Sequence, residues 1–143
     1  MFTSIMVGAD DSPTARRAVE AAVQIAKTFS STLHIVTAFD PKTYVRDAGT
    51  LPKEYHNLNH EDDADALLQV LSFIAKKEGV EPILHASKGD PTDALIDTAK
   101  ALDVDLVVVG NRGMKGARRV LGSVPNSVAH GVHCSVLIVD TTD

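Results

Sequence analysis

The chain reads as an α/β domain of Rossmann-like type, a doubly wound five-stranded parallel sheet with helices on both faces and strand order 3-2-1-4-5. Three observations predict it. Short apolar strands alternate with amphipathic helical stretches along all 143 residues, the pattern of βα units that return to a parallel sheet. Strands such as Leu106 to Val109 are apolar without alternation, as expected of strands covered on both sides. Finally, Val107-Val108-Val109 empties into Gly110-Asn111-Arg112-Gly113 and reaches Gly122-Ser123 before a further helical run, which is how such a sheet builds a phosphate cradle.

The elements follow in order. Ile5 to Ala9 is a short buried strand, and Ser12-Pro13 supplies a capping hydroxyl with proline at the first helical position. Ala15, Ala18, Val19, Ala22, Val23, Ala26 and Phe29 recur at three- and four-residue spacing, which lays one apolar stripe of a helix against the sheet. Leu33 to Phe39 is the second strand. Asp40 to His60, with Pro41, Gly49 and Pro52, breaks the pattern and reads as a long excursion of the kind used as a functional cover. Ala64, Leu67, Leu68, Leu71, Ile74 and Ala75 mark a second helix ending near Gly79, and Ile83 to Ala86 a third strand. Asp90-Pro91-Thr92-Asp93 opens a third helix with an acceptor at the cap, proline behind it and acid in the first turn; Ala94, Leu95, Ala99 and Leu102 form its buried face. After the fourth strand and the glycine loop, a short helix from about Val124 to His130 leads into Val136 to Val139, the last strand.

The bulk numbers fit one domain, residues 1–143, with 44% hydrophobic and 23% charged residues. Apolar runs of about five residues are too short to span a bilayer, and the amino terminus has neither the basic region nor the long apolar run of a secretory signal. One cysteine, Cys134, excludes an internal disulfide. The expectation is a cytoplasmic protein without a membrane partner. Net charge is −5, with no Trp, two Tyr and four Phe, which argues against a DNA or RNA partner.

Against that acidic background, Arg112, Lys115, Arg118 and Arg119 gather in the glycine loop, and no Asp or Glu occurs between Leu106 and Val139. Such a loop suits a polyanion. In doubly wound sheets the ligand lies beyond the carboxyl ends of the strands where strand order reverses, here between the first and fourth strands. Gly8, Ala9 and Asp10 follow the first; Gly110, Asn111, Arg112 and Gly113 follow the fourth. Gly110 and Gly113 lack the Cβ that would hold a phosphate away from backbone N–H groups. Ser123 can cap the last helix while that helix's free N–H groups meet phosphate. Asp10 can accept two hydrogen bonds from ribose hydroxyls, with capping of the next helix as the other reading. Ala38, near the end of the second strand, can offer its backbone to an adenine edge.

Together these residues resemble the universal stress protein family over essentially the whole chain. The likeness rests on Asp10-Asp11-Ser12, on the Gly89-Asp90-Pro91 turn, and on the glycine loop through Gly122-Ser123. The family's ATP-binding branch carries G-x2-G-x9-G-[S/T]; this chain has Gly110-x2-Gly113-x8-Gly122-Ser123, one residue shorter. The resemblance implies an adenine nucleotide alpha hydrolase-like fold and a stress-response regulator. Asp10 and the backbone near Ala38 would hold adenosine, Gly110 the ribose region, and Gly113, Gly122, Ser123 and Val124 the phosphates. ATP, with or without Mg2+, AMP and cyclic AMP all stay open as ligands, a compact cyclic monophosphate tolerating the shorter loop better than a triphosphate. The resemblance also implies a homodimer joined through Val136 to Val139, a strand apolar enough to be buried on both faces.

Other readings have less support from the residues. A slow ATPase or phosphotransferase needs a base or metal-bound water at the γ-phosphate, and the loop supplies no carboxylate; there is also no G-x4-G-K-[S/T] loop. A dimeric interaction protein that binds no nucleotide would not need Gly113 and Gly122-Ser123. His130, His133 and Cys134, and His56 with His60, have donor types but little else of a metal site; no metal ligand is assigned.

Overall fold

The computed structural model describes residues 1–39, 60–111 and 123–141. Its element order is β1 (Ser4–Gly8), α1 (Ala15–Phe29), β2 (Thr32–Phe39), α2 (His60–Lys76), β3 (Ile83–Lys88), α3 (Pro91–Leu102), β4 (Leu106–Gly110), α4 (Ser123–Gly131) and β5 (Ser135–Val139). All four strand pairings are parallel, in the order β3-β2-β1-β4-β5. The expected fold and strand order hold.

The apolar runs of β1 and β4 fill two layers. Ile5, Val7, Leu33, Ile35, Leu106 and Val108 face α1 and α2, together with Ala18, Val19, Ala22, Leu68, Leu71 and Ala75. Met6, Val36, Val107 and Val109 face α3 and α4, against Leu95, Ala99 and Val128. Every strand points its carboxyl end the same way, so the β1–β4 reversal opens one crevice there. At the opposite end Asp105 fastens β1, its carboxylate accepting from Thr3 N (2.9 Å), Thr3 Oγ1 (3.0 Å) and Ser4 N (3.2 Å). The Thr3 backbone N–H, above all, holds the Asp105 carboxyl below its ordinary pKa.

Several boundaries differ from expectation. α1 starts at Ala15, and Thr14 at its cap makes no side-chain capping bond. Pro13 therefore lies in the preceding turn. The reason is Asp10, whose Oδ1 takes the Ser12 N–H at 2.9 Å and folds that turn first; Ser12 Oγ still accepts the Ala15 N–H at 3.3 Å. Phe29 leaves the sheet-facing stripe, standing 43% exposed and packing edge-on against Phe2 at 5.9 Å. β3 runs two residues further than its apolar core, to Lys88, because its backbone stays in register with β2. α2 stops at Lys76, and the chain turns through Gly79 at φ 80°, with Val80 N bonding back to Ala75 O, a helix-ending αL turn. β5 is half-exposed, Leu137 at 37%, and ends the strand order, with β4 as its one neighbour among the described residues.

Candidate functional site

At the carboxyl ends of the strands lies a cleft lined by Gly8, Ala9, Asp10, Ser12, Thr14, Ala15, Ala38, Pro91, Leu95, Val109, Gly110, Val124 and Pro125. Six residues named from sequence, Gly8, Ala9, Asp10, Ala38, Gly110 and Val124, thus meet there from β1, β2, β4 and α4. The walls are mostly apolar. The polar groups are Asp10, Ser12, Thr14 and exposed backbone, the composition of a small-molecule site.

Each position has a local cause. Ala9 N–H bonds Val36 O at 3.0 Å, continuing the β1–β2 ladder past Gly8, so Asp10 emerges beyond the carboxyl end of the central strand, in the cleft lining. Asp90 caps α3, its carboxylate accepting the Asp93 N–H at 3.3 Å with Pro91 in the first turn. Gly89 N–H bonds Phe39 O at 2.8 Å and so draws that turn over the end of β2. The Gly-Asp-Pro turn therefore brings Pro91 and Leu95 to the cleft beside Ala38. α4 begins at Ser123, with Val124 and Pro125 on the cleft wall; its amino-terminal turn therefore adjoins this region, and its backbone donors are those of Ser123, Val124 and Asn126, since Pro125 has none.

Two expected site residues also have packing tasks. A Cβ on Gly8 would stand 2.8 Å from Leu95 Cδ1, so the missing side chain makes room for Leu95 of α3, which lines the cleft beside it. The buried amide oxygen of Asn111 accepts from Thr141 N (2.9 Å) and Thr141 Oγ1 (2.8 Å), and its Nδ2 donates to Asp140 Oδ1 at 3.1 Å. It ties the end of β4 to the chain beyond β5, so its side chain has a structural task beside the cleft. A Cβ on Gly110 would meet Thr141 Cγ2 at 3.0 Å, so the same tie crowds this glycine. Arg112, Gly113, Lys115, Gly116, Arg118, Arg119 and Gly122, the excursion over residues 40–59, and the capping expected of Ser123 lie outside what the structure describes.

The universal stress protein family model matches residues 1–140. This chain belongs to the universal stress protein family. Among its relatives, universal stress protein Rv1636 of Mycobacterium tuberculosis strain H37Rv is 36% identical over 148 residues, spanning 99% of this chain and 98% of that protein. Among solved structures, a universal stress protein in complex with cAMP is 35% identical with a TM-score of 0.75, covering 99% of both chains. UspA from Lactobacillus plantarum is 27% identical, also at a TM-score of 0.75, over 96% of this chain and 97% of that one. Two of the three places that carry the resemblance in sequence, Asp10-Asp11-Ser12 and Gly89-Asp90-Pro91, are turns that frame the cleft in this universal stress protein fold.

Sequence reasoning missed Ser12, Thr14, Ala15, Pro91, Leu95, Val109 and Pro125 as cleft residues. Leu95 and Val109 read as core because apolar spacing does not distinguish a core wall from a cleft wall. Pro91 carries a usable signal in the Gly-Asp-Pro turn, which reads in sequence as a helix cap and as part of the family resemblance but not as a cleft wall. Of the metal-donor candidates, His130 lies in the last turn of α4, while His133 and Cys134 follow that helix. Among the described residues no three His, Cys, Asp or Glu side chains are grouped to hold a metal ion. Nor is any described helix long and apolar enough to cross a membrane.

Proposed function

We propose that this universal stress protein is a cytoplasmic stress-response regulator that binds an adenine nucleotide in the β1–β4 crevice. The observation that carries the reading is the convergence on one apolar-walled cleft of Asp10, Ala38, Gly110 and the amino-terminal turn of α4. The parts suit such a ligand. The base packs among Ala38, Leu95 and Val109, ribose hydroxyls meet the Asp10 carboxylate, and phosphate meets the α4 N–H groups and the glycine loop. Cyclic AMP is the first ligand to test, because the 35% identical structure is a complex with cAMP and the phosphate loop is one residue short of the ATP pattern. ATP with Mg2+ and AMP are the alternatives.

The remaining expectations belong to the same reading. The half-exposed β5, Ser135–Val139, pairs with a second copy to form a homodimer, and no DNA or RNA takes part.

Calorimetry of nucleotide-stripped protein against cyclic AMP, AMP and ATP, with and without Mg2+, tests the proposal. Asp10→Asn keeps an oxygen for the Ser12 N–H but removes the charge. It should weaken the best ligand by about 1.5–3 kcal/mol, the range for hydrogen bonds to charged groups. Failure of the wild-type protein to bind any of the three would overturn the reading, and unchanged affinity in Asp10→Asn would remove Asp10 from the site.

A further inference from the structure

α2 carries two apolar stripes where its core needs one. Ala64, Leu68, Leu71, Ile74 and Ala75 are buried against the sheet and α1. On its flank, Asp63, Ala66, Val70, Phe73 and Lys77 repeat at spacings of three, four, three and four, a seam of heptad type. All five are exposed, Val70 at 50% and Phe73 at 68%. Lys77 continues the helical ladder, its N–H bonding Phe73 O at 3.1 Å. Val70 and Phe73 lie one helical turn apart at the centre of the seam, and adjoining exposed apolar side chains rimmed by polar ones are the kind of patch that marks an interaction surface.

The seam's chemistry names its partner. The helix is acidic in its first turn, with Glu61, Asp62 and Asp63, and basic at its end, with Lys76 and then Lys77. We infer that the flank of α2 pairs antiparallel with the same helix of a second copy, about a two-fold axis passing near Val70. That operation sets Asp63 against the partner's Lys77, Ala66 against the partner's Phe73, and Val70 against the partner's Val70. Opposite charges meet at both ends, and a small residue faces a large one at each inner position. A parallel pairing would set like charges together. An isologous two-fold contact requires a self-complementary patch of this sort.

This surface is distinct from β5. α2 packs on the β2 and β3 side of the sheet, whereas β5 forms the far edge beyond β4. The test is sedimentation velocity over a concentration series, run in a Leu137→Lys background so that charge on the edge strand suppresses pairing through β5. Circular dichroism confirms folding of each variant. The parent should associate with increasing concentration, and Phe73→Glu should weaken that association at least about tenfold, as expected for a central aromatic anchor. Asp63→Lys and Lys77→Asp should each weaken it, and the double variant, which restores opposite charges across the axis, should recover it. The inference is overturned by a parent that stays monomeric, by Phe73→Glu associating as the parent does, or by a double charge swap no stronger than the single ones. None of these outcomes depends on whether nucleotide binds.

Discussion

At the scale of the residue, His34 and His85 form a pH-sensitive contact. His34 Nδ1 and His85 Nε2 are 2.9 Å apart across β2 and β3, with ring centroids at 5.1 Å. One nitrogen must donate and the other accept, so the contact needs at least one neutral ring. Burial, and for His34 also the charge of His85, lowers the pKa of His34 from its ordinary 6.5; burial does the same for His85. The folded state therefore binds fewer protons than the unfolded chain as pH falls below about 6.5. The resulting stability is fully present above that pH and is lost as pH drops through the lowered folded values. Urea unfolding near pH 7.5 and near pH 5.5 should show a lower midpoint in acid, and a His34→Gln/His85→Gln variant should show a smaller difference. An equal pH response in that variant would assign the effect to other groups.

At the scale of the element, the strands were legible because each is a short apolar run ending at a turn residue, and α3 because Asp90 and Pro91 signal a cap through local chemistry. The start of α1 was less so, since its turn depends on the Asp10 carboxylate choosing the Ser12 N–H, a preference that competes with Ser12 as cap. The role of Asn111 was not legible at all. Its partners Asp140 and Thr141 are about thirty residues away in sequence, and only the β4–β5 pairing brings them close. That tie gives the second prediction of this kind: Asn111→Ala leaves the buried Thr141 groups without their acceptor and should destabilise the fold by about 1–3 kcal/mol. Its unfolding midpoint should fall more than its nucleotide affinity does. The reverse order would make ligand contact the main task of Asn111.

At the scale of the whole molecule, the cleft draws on β1, β2, α3, β4 and α4 together, so a ligand there engages both halves of the sheet. Binding to the folded state alone raises stability by about 2.7 kcal/mol at a hundredfold excess over Kd. Melting temperature should therefore climb with nucleotide concentration, most for the ligand that calorimetry ranks first; a melting temperature insensitive to a ligand that binds would mean that the unfolded chain binds it as well. The parallel sheet also has a consequence for biosynthesis. β1 sits at its centre, and its second partner, β4, begins at Leu106. Until the ribosome has made Asp105 and the strand that follows it, one side of the central strand lacks β4, and the carboxylate that will grip Thr3 and Ser4 is still to come. The nascent chain can assemble β1, β2 and β3, but it must keep an apolar edge shielded until translation delivers the residue that locks it.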